Sequence, residues 1–233
     1  INQGVSIAAI MPVDAPEEDW ENLQIVFATS SGGVRRNALS DFTNVKSNGK
    51  IAMKLPEHVS LVNARICDEN MDFLLTTELG KAIRFSVNKV RIFKGRDSTG
   101  VRGIKLAAND NVVSMAVIHH VDVTSEERAA YFRMRRAITG DETGENTETS
   151  STLSQERYAE LSAIEEWILA ITASGFGKRS SAHEYRVSGR GGQGITAANL
   201  TRREDKIVAS FTVEEEDQIM LVTSTGQSIR CPV

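Results

Sequence analysis

The sequence predicts an all-β fold, a propeller-like array of four-stranded blades that are each about 50 residues long. One motif, an apolar run of strand length followed by Thr-x-x-Gly and an arginine, occurs four times. Successive copies of its arginine stand 48, 95 and 51 residues apart. A further apolar run follows each of the first three copies. A period near 50 residues with about four strands per unit is typical of propellers.

Each copy of the motif predicts a β-hairpin. Its glycine stands three residues after the threonine, and its arginine seven residues after it. Glycine readily adopts the positive φ that a tight reversal needs. The threonine, glycine and arginine of the four copies are Thr29, Gly32 and Arg36; Thr77, Gly80 and Arg84; Thr172, Gly175 and Arg179; and Thr223, Gly226 and Arg230.

The segments after the hairpins repeat more loosely. Gly49, Gly100 and Gly194 each stand six residues before a leucine. Apolar strand candidates follow at 59–66, 112–118 and 207–213. A corresponding strand is predicted over Val5 to Val13, ahead of the first hairpin. These features divide the chain into repeats at about 5–55, 59–106, 112–200 and 207–233.

Residues 119–166 predict an acidic helical insertion within the third repeat, and they account for the doubled spacing. A capping-box pattern at Thr124 to Glu127 begins a helix through Ile138, and Thr152 to Trp167 predicts a second one. The intervening GDETGENTETSS is rich in acids, glycine, serine and threonine, and it predicts a mobile loop. The insertion holds 11 acids and five arginines, a net −6, so a chain of net −4 leaves +2 for the rest. This charge predicts that the insertion repels phosphates.

The repeats themselves carry segregated positive charge. Between Lys81 and Lys105 the only acid is Asp97. Such a segment is either a solvated polar face or a polyanion-binding surface, and segregation by sign favours the second. The arginines of the four repeated motifs could instead pack the aliphatic part of their side chains between blades. The candidate DNA-binding residues are Arg35, Arg36, Lys46, Lys50, Lys81, Arg84, Arg91, Lys94, Arg96, Arg102, Lys178, Arg179, Arg190 and Arg230.

A glycine-rich stretch, Gly189 to Gly194, lies near the end of the third repeat. Its G-x-G-x-x-G spacing resembles a dinucleotide fingerprint, but polar EYRVS precedes it where a buried strand is required. We expect Gly189, Gly191, Gly192 and Gly194 to form a surface loop, the last three as backbone requirements, with Arg190 supplying charge beside a phosphate. A turn that merely connects two blades is the alternative.

No constellation in the chain predicts catalysis or metal binding. His119 and His120 are adjacent, so on a strand they point to opposite faces. His183 has no turn beside it that would present a nucleophile. Cys67 and Cys231 lack metal-type spacing and predict reduced thiols inside strands.

Composition predicts a globular, cytoplasmic protein. The 233 residues are 40% hydrophobic, and no apolar run approaches the ~18 residues of a membrane span. The chain begins at Ile1 and ends soon after Arg230, where a strand should continue, so we expect an excerpt of a longer array. Missing blades would cover the strand edges that a partial propeller exposes.

The amino-acid sequences of the repeats resemble the C-terminal domain of the DNA gyrase A subunit. The segments that carry the resemblance are ATSSGGVRRNALSDF, TTELGKAIRF, GVRGIKLA, GFGKRSSAHEYRVSGRGGQGI and EEDQIMLVTSTGQSIR. The resemblance implies a β-pinwheel, a propeller-like disc whose basic rim bends duplex DNA. It also implies a basic glycine-rich box in a first blade, which we expect to be absent from this sequence. The stretch from Ser188 to Gly194 is a degenerate relative of that box: Arg190, Gly191, Gly192 and Gly194 match it, whereas Ser188, Gly189 and Gln193 depart from it.

The resemblance further implies a type II topoisomerase as the parent protein. Its cleavage tyrosine would lie outside this chain, so Tyr131, Tyr158 and Tyr185 are not assigned that role, and this fragment is expected to hold no catalytic residue and no cofactor. ATP and Mg²⁺ would act in a bacterial, nucleoid-associated holoenzyme that combines a second copy of the gyrase A polypeptide with the gyrase B subunit (A2B2). The alternatives are the matching domain of topoisomerase IV and a protein-binding propeller scaffold. Residues preceding Ile1 would discriminate gyrase from topoisomerase IV.

Overall fold

The computed structural model describes residues 7–140, 152–200 and 205–233, and these residues are mostly β-structure. The strands are β1 (Gln24–Thr29), β2 (Gly33–Ala38), β3 (Leu61–Cys67), β4 (Met71–Thr77), β5 (Lys81–Ser86), β6 (Val101–Arg102), β7 (Val112–His119), β8 (Trp167–Thr172), β9 (Gly177–Ser181), β10 (Ile195–Thr196), β11 (Ile207–Val213), β12 (Gln218–Val222) and β13 (Ser228–Pro232). Two helices, α1 (Ser125–Thr139) and α2 (Gln155–Ala163), lie between β7 and β8.

All four predicted hairpins are confirmed: β1–β2, β4–β5, β8–β9 and β12–β13 pair antiparallel. The turn explains the Thr-x-x-Gly motif. In the first hairpin Gly32 has φ of 81° and donates its N–H to the carbonyl of Thr29. The Thr29 hydroxyl then accepts the N–H of Gly33 at 3.0 Å. The other three turns repeat both bonds.

The hairpins belong to four sheets, and the first two of these sheets each take up a short strand from the following repeat. The first sheet has the order β3-β1-β2-β6 and the second β10-β5-β4-β7, while the third is β11-β8-β9 and the fourth β12-β13. β6 follows the second hairpin but pairs with β2 of the first sheet, and β10 follows the third hairpin but pairs with β5. Each exchange ties one repeat to its neighbour.

The sheets stack face to face, with apolar cores between them. Val26, Phe73 and Met115 share the core between the first and second sheets. Leu74 and Ile168 share the next core. β4 therefore buries both of its faces, which explains why its apolar run FLL is unbroken rather than alternating.

The predicted helical insertion contains α1 and α2, with boundaries that differ from expectation at the second helix. The capping box at Thr124 is confirmed, because its hydroxyl accepts the N–H of Glu127 and the Glu127 carboxylate accepts the N–H of Thr124. α2 begins after Ser154 rather than at Thr152, since the Ser154 hydroxyl accepts the N–H of Arg157. Trp167 belongs to β8. The predicted mobile loop, from residue 141 on, lies outside the described residues.

The opening segment differs from its prediction. Residues 7–13 form no strand in the described part of the chain, although Met11 and Val13 pack against the apolar cluster of Phe27 and Leu39. Apolar side chains are thus partly buried there by packing, without strand pairing. No helix among the described residues has the length and apolarity needed to cross a membrane.

Candidate nucleic-acid interface

The arginines of the first two hairpins lie inside the protein. Arg36 is 5% exposed and Arg84 is 4% exposed. Arg36 donates to the side-chain oxygens of Gln24 at 3.3 Å and Asn88 at 3.1 Å. Asn88 belongs to the following repeat, so Arg36 links two sheets.

Arg84 forms the most complete of these links. Its Nε pairs with Asp72 at 2.7 Å, and Asp72 is fully buried. Its two terminal nitrogens donate to the carbonyls of Ala182 and His119, each at 2.8 Å. With its donors used by the protein, this side chain fits the alternative of an arginine packed between blades.

Arg35 is also enclosed, with 0% exposure. It donates to Asn37 at 2.8 Å and to the carbonyls of Ser98 and Gly95. Burial lowers the pKa of Arg35 and of Arg36, partly offset by nearby acidic groups. Arg35, Arg36 and Arg84 are therefore enclosed by the protein and not available to DNA in this structure, contrary to the prediction.

The corresponding arginines of the last two hairpins are exposed. Arg179 lies over the Trp167 ring at 4.8 Å, and Arg230 stands on β13 opposite Met220. Their neighbour Lys178 is exposed and 3.6 Å from Glu184. Among the described residues, no later segment covers these two arginines as residues 87–93 cover Arg36.

The glycine-rich loop docks where the first and second sheets meet. Arg190 Nε donates to the carbonyl of Lys89 at 2.9 Å, and its Nη1 donates to the carbonyl of Arg102 at 3.1 Å. Gly191 donates its N–H to the carbonyl of Gly103, and Lys105 donates its N–H to the carbonyl of Gly192. Backbone contacts thus bring four exposed basic side chains together, and we call this surface the basic junction: Lys89, Arg102, Lys105 and Arg190.

Two glycines of the loop have a backbone reason to be glycine. Gly194 has φ of 73°, and a Cβ there would lie 2.3 Å from the carbonyl oxygen of Ala82. Gly191 has φ of 81°. At Gly192 a Cβ would meet only Ile83 at 3.7 Å, and at Gly189 it would meet nothing within 4 Å. The predicted backbone requirement is supported at Gly191 and Gly194, and it is not supported at Gly192.

Other predicted basic residues flank the basic junction. Lys81 is exposed and donates to Thr196 at 3.1 Å, beside β10. Arg91 is exposed over the Phe93 ring at 4.4 Å, and Lys94 is exposed nearby in sequence.

A second basic group surrounds the connector that follows the first hairpin. Lys46, Lys50 and Arg96 line a surface cavity of about 620 Å³. Lys50 donates to the carbonyl of Thr43 at 2.7 Å, and Arg96 donates to the carbonyl of Ile51 at 3.1 Å. These bonds hold two positive charges at the mouth of one cavity.

Sequence reasoning left Lys89 and Lys105 out of the candidate set. Both lie in the basic run from Lys81 to Lys105, which was the available signal. Their proximity to Arg190 depends on the docking of a loop about 85 to 101 residues away in sequence. That docking could not be inferred from the spacing of the charges.

The histidines, tyrosines and cysteines have structural surroundings. His119 and His120 point apart, toward Glu166 at 3.3 Å and Asp72 at 2.7 Å. His183 is buried and donates to the carbonyl of Leu161 at 2.9 Å. Burial raises the pKa of the Cys67 thiol to about 12 and also raises the pKa of Tyr131. Within the described residues, no three His, Cys, Asp or Glu side chains are placed to hold a metal ion.

Stacked sheets with strands exchanged between neighbouring repeats define a β-pinwheel. A family model described as "DNA gyrase C-terminal domain, beta-propeller" matches residues 24–68, 72–119, 166–214 and 217–233. The chain belongs to this family. The unmatched stretch between the second and third segments contains α1 and α2.

Curated relatives agree with this assignment. The DNA gyrase A subunit of Granulibacter bethesdensis is 48% identical over 97% of this chain and 26% of its own length. The gyrase A subunits of Rickettsia bellii and Haemophilus influenzae are 42% and 34% identical to this chain. The chain spans about a quarter of the length of these relatives.

Two solved structures share the fold. The crystal structure of the C-terminal domain of DNA topoisomerase IV matches with a TM-score of 0.71 at 19% identity, covering 100% of this chain and 58% of the other. The E. coli ParC C-terminal domain matches with a TM-score of 0.57 at 15% identity, covering 91% and 70%. At such identities the likeness extends to the fold.

Proposed function

We propose that this domain binds duplex DNA along its basic rim and bends it, as the DNA-wrapping part of the gyrase A polypeptide. The observation that carries the proposal is the basic junction, where four exposed positive side chains converge and no acidic side chain is hydrogen-bonded to any of them among the described residues. Phosphate contacts supply most of the sequence-independent affinity for DNA. The names of the relatives favour gyrase over topoisomerase IV and over a protein-binding scaffold.

The proposed parent is the A2B2 holoenzyme of a bacterial type II topoisomerase, which would act in the cytoplasm on nucleoid DNA and introduce negative supercoils with ATP and Mg²⁺. The role proposed for this domain is mechanical. Bending costs a few kcal/mol for about 25 base pairs, so phosphate contacts on several sheets must act together.

The proposal is tested by titrating the domain with duplexes of several lengths and sequences at rising salt. We expect affinity that is independent of sequence and that grows with duplex length until the rim is filled. Log affinity should fall linearly with log salt, with a slope of about −0.9 for each phosphate neutralised. Absence of binding at low salt, or binding that does not change with salt, would contradict the proposal.

A further inference from the structure

The helix α1 of the insertion lies across the turn that follows β9. The ring of Tyr131 meets the ring of His183 edge-on at 5.4 Å between centroids. Residues three or four apart on a helix share a face, so Arg128 and Arg135 lie on the same side as Tyr131, one turn to either side of it. Arg135 pairs with Glu165 at 2.9 Å and covers the Trp167 ring at 4.5 Å.

Arg128, at the other end of this face, has a different neighbour. Its surroundings include the positive charge of Arg186, three residues beyond His183. Neither guanidinium forms a hydrogen bond or an ion pair within residues 7–140, 152–200 and 205–233. Burial lowers the pKa of Arg128, and the charge of Arg186 lowers it further. Two like charges held near each other without an acid destabilise the free protein.

Arg186 also belongs to a concave surface. It lines a cavity of about 320 Å³ together with Ser188 and the glycine-rich loop. Residues Ala82 to Arg84 of β5 also line this cavity. The cavity and the basic junction thus share one loop, since Arg190 of that loop contacts Lys89 and Arg102.

We propose that Arg128 and Arg186 form a phosphate-binding pair, through which the insertion extends the DNA-binding surface. This inference rests on the proposed binding of duplex DNA. Guanidinium groups bind phosphate through charge-assisted hydrogen bonds, and a bound phosphate would compensate both unpaired charges. The pair gives the insertion a positive contact with DNA despite its net charge.

The net charge of the insertion does not show how its positive and negative side chains are distributed. α1 contains four of the five arginines, Arg128, Arg133, Arg135 and Arg136, but only two acids, Glu126 and Glu127. The remaining acids of the insertion lie outside this helix. Arg135 is neutralised by Glu165, so the proposed contact with phosphate rests on Arg128 and not on the net charge of the insertion.

The test compares R128Q, R186Q and the double variant with R65Q, a control that removes the same charge from an exposed position on β3. We expect R128Q and R186Q each to weaken duplex affinity by about tenfold to a hundredfold, the range of a lost hydrogen bond to a charged group. Because the two arginines share one phosphate, the double variant should make the salt slope shallower by about one unit rather than two. R65Q should leave affinity and slope unchanged.

A melting temperature measured without DNA separates this role from a structural one. R128Q should melt at the same or a higher temperature than the wild type, because it removes a repulsion. The proposal would be overturned if R128Q and R186Q kept the wild-type affinity. It would also be overturned if their loss of affinity came with a lower melting temperature. If the wild type binds DNA and R102Q weakens it while R128Q does not, only this inference fails. If the wild type does not bind, the proposed function fails with it.

Discussion

Arg84 and Arg179 occupy the same position in successive hairpins, opposite Leu74 and Leu169, yet their guanidinium groups lie in different surroundings. The cover over Arg84 comes from His119 and Ala182, which are distant in sequence. A strand pattern predicts which face a residue occupies, because side chains alternate. It does not predict what later segment packs on that face. The face of the strand on which each arginine lies could therefore be predicted from the sequence, but its burial could not.

The contrast between these two arginines predicts that the same substitution destabilises the protein to very different extents at the two positions. Arg84→Met breaks a buried ion pair and leaves His120 as the remaining charged partner of the fully buried Asp72, and breaking a buried pair typically costs about 3–5 kcal/mol. Arg179→Met changes an exposed side chain and should cost less than about 1 kcal/mol. Urea denaturation of both variants measures the difference. Equal free energies of unfolding in the two variants would show that the Arg84 link between the sheets does not stabilise the fold.

At the scale of secondary-structure elements, the hairpins could be predicted and the exchanged strands could not. The Thr-x-x-Gly turn is a local device, since its hydrogen bonds join residues three or four apart. β6 and β10 are each two residues long and carry no apolar run that marks a strand. They are defined by their partners β2 and β5. The role of the loop before β10, and with it the basic junction, required the structure.

The end of β7 holds an ionic contact that should respond to pH. His120 contacts Asp72 at 2.7 Å and Asp122 at 3.2 Å. Burial lowers the pKa of His120, but the hydrogen bonds and charges of the two aspartates raise it, and the net direction is upward. The folded protein thus holds this proton more tightly than the unfolded chain. The resulting stability is fully present below the unfolded pKa of about 6.5 and is lost as pH rises through the folded pKa.

We therefore expect the free energy of unfolding to decrease from pH 6 toward pH 9, and His120→Gln to flatten that decrease. The effect should stay below about 1 kcal/mol, because the His120 side chain is 30% exposed. His58→Gln is the matched control, since the side chain of His58 is 90% exposed. Denaturant titrations at several pH values measure the free energy of unfolding of each variant. An unchanged slope in His120→Gln would refute the contribution of this ionic pair.

At the scale of the whole molecule, a propeller-like array with a helical insertion was predicted from period and spacing, and the stacked sheets confirm it. The exchange of β6 and β10 adds what the repeats alone did not indicate. Each exchanged strand brings a loop from one repeat onto the rim of the preceding sheet. The basic junction consequently combines residues of two repeats and should disappear if the sheets separate.

The central claim, that the basic junction binds duplex DNA, is tested most directly by the salt dependence of affinity in one triple variant, Lys89→Gln, Arg102→Gln and Lys105→Gln. These side chains are exposed, and the backbone groups that hold the glycine-rich loop remain, so the melting temperature should not change. We predict that the slope of log affinity against log salt becomes shallower by about 0.9 for each phosphate that is no longer neutralised, up to about 2.7 units. R65Q should keep the wild-type slope. A triple variant that remains folded with the wild-type slope and affinity would contradict the account.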